Sequence, residues 1–256
     1  LPTPGEVESR PKPTVSDKDA AMMKSLVLYK DDHIIALNKP PGLPTQGGSK
    51  QVRHVDGLAE ALTFGFDDKP RLVHRLDKGT SGVWVVATTQ ARQRQLTKSF
   101  EAHQVRKYYV ARVTKAAKFN GTATIDLPLT KGRKSRYRVA GPRESIERQS
   151  VSGKGTVWRL GANQSFPGAK SKSIFASTTR LRRLNSSTLL LQPLSGRTHQ
   201  LRVHLAWTGS PIKGDHLYGR ANDPSQQASR LALHCHRMVL PEIGAFRASA
   251  PKGLLT

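Results

Sequence analysis

The chain is predicted to be one mixed domain of helices and strands, on three observations. Short apolar runs rich in β-branched and aromatic residues recur along it. Between them, other stretches carry apolar residues at helical spacing, and prolines, glycines and polar turns separate the two kinds. The 256 residues suffice for one substantial core or two modest ones, and 36% hydrophobic content is lean but adequate for a folded domain. Charge narrows the partner: 42 Lys+Arg against 18 Asp+Glu give +24, which implies a polyanion, most economically nucleic acid. An anionic membrane would call for a basic amphipathic helix or a lipidation signal, and neither is found; no apolar run reaches the length of a membrane span.

Residues 1–23 hold Pro2, Pro4, Pro11 and Pro13 among serines and charges without periodicity, and predict an extended arm that orders on a partner. The domain itself is expected over 24–256. Leu26-Val27-Leu28-Tyr29 and His33-Ile34-Ile35-Ala36-Leu37, divided by Lys30-Asp31-Asp32, make a hairpin, which Asn38-Lys39-Pro40-Pro41-Gly42 ends because prolines cannot continue a ladder. Val55, Leu58, Ala59 and Leu62 predict one amphipathic helix. His74 to Gly82 forms a tight turn into the apolar Val83-Trp84-Val85-Val86-Ala87 and holds Asp77 at the mouth of the sheet.

Thr89 caps a second helix, with Leu96 and Phe100 inward and Arg92, Arg94 and Lys98 outward on a solvated face. Arg106 to Val113 is a strand whose alternation sends Tyr108 and Tyr109 to opposite faces. From Lys131 to Arg183 the pattern dissolves. The basic clusters Lys131, Arg133, Lys134, Arg136, Arg138 and Arg180, Arg182, Arg183 predict long loops and strand edges lying on phosphates. Thr188 to Leu194 is a strand, Thr198 is the expected N-cap of a helix to Ala206, and Gly209 stops it. A closing strand runs through Val239-Leu240. Cys235, the single cysteine, excludes a disulfide framework and reads as a small buried residue in a reducing compartment.

Two readings of Asp77 stand side by side on the residues alone. It is a turn aspartate partnered by Arg75, or a carboxylate set in a positive surface for nucleophilic work on an anionic polymer. His199 and His204 are five apart with no carboxylate between them, so a metal site is not expected.

His74-Arg75-Leu76-Asp77 followed by Thr80-Ser81-Gly82 resembles the signature of the RluA-type pseudouridine synthases. Four further stretches follow in that family's order: Asn38-Lys39-Pro40-Pro41-Gly42, Lys107-x-Tyr109-x-Ala111, Ser195 to Leu205 with Pro211 to Gly219, and Arg230 to Cys235. The family usually has Thr at the place of Ser195 and an apolar residue or His at that of Lys213. The resemblance covers about residues 26–251 and fits least around 141–178, where an insertion is expected.

The resemblance implies an α+β pseudouridine synthase fold, a long, mostly antiparallel mixed sheet with a central RNA-binding cleft. It implies isomerisation of uridine, breaking the C1′–N1 bond and joining C1′ to C5, with no cofactor and no metal. Asp77 is then the catalytic carboxylate, attacking C1′ or C6, and Arg202 is the partner that keeps it ionised in a closed cleft. Tyr109 stacks on the base or moves a proton. Arg75 fills the gap left by the flipped uridine, and Leu233 packs on the ring. His74, Lys107, Arg197 and His199, with Lys131, Arg133, Lys134 and Arg136, complete the expected RNA contacts. The expected partner is structured RNA, ribosomal rather than transfer RNA, with a large-subunit precursor and its assembly factors and no membrane. An RNA-binding large-subunit assembly factor with an idle site is the alternative. A basic variant of a bacterial-type enzyme that does not begin with Met is expected in the mitochondrial matrix, with a truncated bacterial enzyme as the other possibility.

Overall fold

A computed structural model of the chain describes residues 15–47, 53–119, 121–133, 136–152, 155–161, 173–219 and 223–254. The predicted hairpin is β1 (Val27–Lys30) against β2 (Ile34–Lys39). Its turn is set by Asp31, whose Oδ1 accepts the His33 and Ile34 amides at 2.8 and 2.7 Å. β3 (Arg71–Leu72), β4 (Ser81–Ala87), β5 (Arg106–Arg112) and β6 (Thr122–Asp126) follow. All seven residues of β4 are buried, as its unbroken apolar run requires of a strand covered on both faces.

After them come β7 (Leu129–Lys131), β8 (Tyr137–Val139), β9 (Ile146–Val151), β10 (Gly155–Leu160), β11 (Ile174–Phe175) and β12 (Thr178–Arg183). The last three strands are β13 (Thr188–Pro193), β14 (Leu233–Leu240) and β15 (Gly244–Arg247). One twelve-stranded sheet has the spatial order β1-β2-β4-β14-β5-β13-β12-β6-β10-β9, with β3 paired to β4 and β15 to β14. Among the described residues only β4/β14 and β6/β10 pair in parallel, so the sheet is mixed and mostly antiparallel as expected. β11, β7 and β8 form a small separate sheet.

Four α-helices among the described residues pack around it: α1 (Asp17–Ser25), α2 (Val55–Leu58), α3 (Gln90–Glu101) and α4 (Gln200–Trp207). None is long and apolar enough to cross a membrane. Thr89 caps α3 by accepting the Arg92 amide, and Leu96 is buried, as predicted.

Four expectations need correction. The extended arm does not reach residue 23, because Ser16 accepts the Asp19 amide, Asp17 and Asp19 suit the first turn, and buried Met23 anchors α1 to the core; residues 1–14 of the arm lie outside the described residues. The single helix over 55–62 is one α turn followed by a 3₁₀ turn, Ala59–Leu62, although Val55, Leu58, Ala59 and Leu62 are all buried as foreseen. The 131–183 stretch is strand for most of its described length. Its strands carry no clear apolar alternation, because the edge strand β9 exposes Glu147, Arg148 and Ser150 and β10 beside it has no fully buried residue. The expected insertion at 141–178 falls partly outside the described residues. The cap residue of α4 is His199, not Thr198. His199 sits in the left-handed region at φ 56°, and the Gln200 side chain takes the donors of the preceding loop, the Arg197 amide and the Ser195 hydroxyl.

Candidate active site

The cleft lies where the loop before β4, the middle of β5 and the start of α4 meet. Arg75, Asp77, Lys107, Tyr109, Arg197, His199, Arg202 and Leu233 all line it, so eight residues expected from sequence are brought together from across residues 75–233. The loop is held from below by Gly82. At φ +110° it lies so close to β14 that a Cβ would stand 2.2 Å from the Cys235 carbonyl oxygen. Only glycine permits that approach.

A second tether comes from Lys39, 1% exposed, whose Nζ donates to the carbonyls of Pro40 and Leu43 at 2.8 Å and of Lys78 at 3.4 Å. The same Lys78 carbonyl accepts the Gly42 amide at 2.8 Å. The Pro-rich turn thus grips the residue next to Asp77. Burial pushes the Lys39 pKa down to about 7 against the pull of Asp77.

Asp77 keeps a quarter of its side chain open. Its Oδ2 faces Arg202 Nη1 at 3.5 Å and His199 Nε2 at 3.9 Å, while its Oδ1 has no hydrogen-bond partner among the described residues. Arg202 does not depend on Asp77 for its position. Its Nε and Nη2 fork onto Asp215 Oδ2 and Oδ1 at 2.9 and 2.7 Å, and Asp215 Oδ1 also takes the Leu217 and Tyr218 amides. Burial opposes the Arg202 charge, yet Asp215 and then Asp77 raise its pKa above the ordinary value. The free Nη1 edge therefore meets Asp77 as a fixed positive charge.

Tyr109 is buried on the cleft face of β5, and Tyr108 points to the other face, as alternation predicts. Burial first, then Cys235 and Asp77, push the Tyr109 pKa well above 10, so the phenol keeps its proton. His199 has its pKa lowered by burial, against Asp77, and pairs through Nδ1 with the Tyr218 hydroxyl at 2.8 Å. Lys107, half-buried, lines the cleft with Nζ 5.7 Å from the Phe100 ring centre, and Arg197 reaches the Ala176 carbonyl.

His74 does not face the cleft. Its ring stacks on Phe100 at 4.5 Å, its Nε2 accepts the Val85 amide at 3.0 Å, and its carbonyl accepts the Trp84 indole. Burial, then Lys107, pushes its pKa down to about 3, so the ring is neutral where it braces the loop. Arg133 and Arg136 line a groove beside the cleft with Arg138 and Tyr218, and Lys131 is exposed at the end of β7; Lys134 lies outside the described residues. Tyr218 joins groove and cleft, since its hydroxyl accepts the Tyr137 amide and pairs with His199. Sequence reasoning assigned no role to Asp215, Lys39 or Tyr218. The signal for Asp215 was a scarce acid in a motif otherwise read for its bases.

Residues 33–207 match the family model described as RNA pseudouridylate synthase. The chain belongs to this family. It is 31% identical over 215 residues to the dual-specificity RNA pseudouridine synthase RluA of Escherichia coli K12, covering 84% of this chain and 86% of that one. It is 31% identical to the ribosomal large subunit pseudouridine synthase C of Vibrio vulnificus, covering 90% and 69%. It is 36% identical to the mitochondrial RNA pseudouridine synthase 4 of Arabidopsis thaliana over 84% of this chain, spanning 47% of that longer protein. Among solved structures, the human RNA pseudouridylate synthase domain containing 4 superposes with a TM-score of 0.69 at 25% identity, over 93% and 94% of the two chains. The RluA-type resemblance and the pseudouridine synthase fold are thereby established, and the protein is an RNA pseudouridine synthase.

Proposed function

We propose that this pseudouridine synthase acts on a uridine of ribosomal RNA, with Asp77 as the nucleophile. The observation that carries the assignment is the asymmetry of the Asp77 carboxylate on the cleft wall: Oδ2 faces the fixed Arg202 charge and Oδ1 has no hydrogen-bond partner among the described residues. A carboxylate held so can add covalently to sugar or base through the free oxygen and depart again. Tyr109 supplies a protonated hydroxyl and a flat surface against the base. Arg75, exposed at the mouth, is placed to occupy the vacated stack, and Leu233 to pack on the extruded ring.

Ribosomal RNA is favoured by the +24 charge, by the arginine-lined groove continuous with the cleft through Tyr218, and by the large-subunit enzyme among the relatives. A large-subunit precursor, still carrying its assembly factors, offers such a substrate. The mitochondrial relative favours the matrix as its location. Nothing in the cleft favours an idle assembly factor.

Asp77→Asn tests the assignment. It is expected to abolish pseudouridine formation, read by nucleotide-resolution mapping of RNA from cells, while leaving affinity for RNA nearly unchanged. Pseudouridine formed by the variant would remove Asp77 from the chemistry.

A further inference from the structure

Two basic clusters that look alike in sequence place arginines on opposite faces of the sheet. Arg133 and Arg136 border the cleft side. On β12, Thr179 and Leu181 are buried toward α4, with the Thr179 hydroxyl 2.9 Å from His204 Nδ1, so alternation turns Arg180 and Arg182 the other way. There they line an open concavity of about 860 Å³ with Arg159 of β10. Its floor is Leu190, Val157 and the outward ring of Tyr108, and the threonine hydroxyls of β6 border it.

All three arginines are exposed, and among the described residues none forms a salt bridge. The acids nearby are few. Asp126, which accepts the Thr178 hydroxyl on one oxygen, and Glu147 are the cross-strand neighbours of Arg159; neither forms a salt bridge with it, and the Arg159 guanidinium donates instead to Gln149, which in turn donates to Glu147. A β-bulge at His236 brings Arg237 beside Tyr108, 5.8 Å from its ring centre, with a buried Nε that has no partner among the described residues.

We infer that this face of the sheet is a second RNA-binding surface, which holds a single-stranded stretch of the same large RNA whose target uridine enters the cleft opposite. Arginines without a salt bridge among the described residues, set over an apolar and aromatic floor, match the two needs of a single strand, phosphate neutralisation and a surface for bases. An acidic protein would find the same charge but no use for hydroxyls and an open tyrosine ring set between arginines. The inference rests on the reading that the substrate is a large RNA, for a short stem-loop in the cleft would not reach around the sheet.

The test replaces Arg159, Arg180 and Arg182 together by Gln in the full chain. Binding is measured against salt on two probes: a transcript spanning a whole domain of large-subunit ribosomal RNA, and a short stem-loop excised from it. On the long transcript, affinity is expected to fall about 10- to 100-fold, and the slope of log affinity against log salt to become shallower by about 2, at roughly 0.7 per lost phosphate contact. On the stem-loop neither should change, which also shows that the variant is folded. The triple Lys variant should retain the steep slope.

Unchanged slope and affinity on the long transcript overturn the inference and leave an acidic protein as the partner to seek. An equal loss on both probes also overturns it, since the arginines would then act through the cleft or through folding. The slope counts phosphates and needs no turnover, so failure of the synthase reading, seen as absence of pseudouridine on every RNA, would be a separate result.

Discussion

Replacing Asp215 by Asn leaves the Arg202 guanidinium buried with only part of its partner. The side chains of Arg202 and Asp215 are 9% and 1% exposed, and the fork between them is made of contacts at 2.9 and 2.7 Å. Removing one member of such a pair costs about 3–5 kcal/mol. Asp77 remains 3.5 Å from Nη1 and offsets part of the loss, and the Asn oxygen can still accept the Leu217 and Tyr218 amides, so the lower end, about 3 kcal/mol, is expected. For a chain of this size that is a fall in Tm of roughly 6 °C, at about 2 °C per kcal/mol. Arg202→Met should cost a similar amount by stranding Asp215 instead. The double variant Arg202→Met with Asp215→Asn buries no charge and should recover most of the stability while remaining inactive, which separates folding from chemistry. Thermal unfolding of the four proteins and pseudouridine formation on one RNA provide the data. Additive losses in the double variant, or single variants within about 1 °C of wild type, would refute the claim that Asp215 fixes Arg202.

Gly82→Ala should prevent the β4/β14 pairing, since its Cβ would overlap the Cys235 backbone, and soluble expression with a native circular dichroism spectrum would contradict this. Tyr109→Phe should lower turnover without altering the alkaline side of the pH profile, because the pKa of the phenol lies well above 10; loss of an alkaline limb in the variant would refute it. His74 and His204 have folded pKa values pushed down to about 3 and about 4 by burial, against 6.5 unfolded. The unfolded chain therefore takes up protons that the fold refuses, and stability present above pH 6.5 is lost as pH falls toward 4. At pH 5 the two together should cost about 4 kcal/mol, at 1.36 kcal/mol per pH unit each. Urea unfolding at pH 7.5 and 5 measures it, and equal midpoints would disprove the assignment.

Local sequence determined the strands and much of the site. The unbroken apolar run of β4, the hairpin around Asp31 and the Thr89 cap were legible because each depends on neighbours within a few residues, and motif order named Asp77, Tyr109 and Arg202. The weakly alternating β9 and β10 were not legible, since β9 is an edge strand that needs no apolar face and β10 beside it buries no residue fully. Three things belonged to tertiary structure alone. His74 became a brace because the ring of Phe100, 26 positions away, stacks on it. Asp215 became the anchor of Arg202 because a loop after α4 returns beneath the helix, where a buried guanidinium requires a carboxylate. The clusters at 131–138 and 180–183 were separated because alternation along β12 sends Arg180 and Arg182 through the sheet, away from the cleft, and only the buried partners Thr179 and Leu181 decide which side is which.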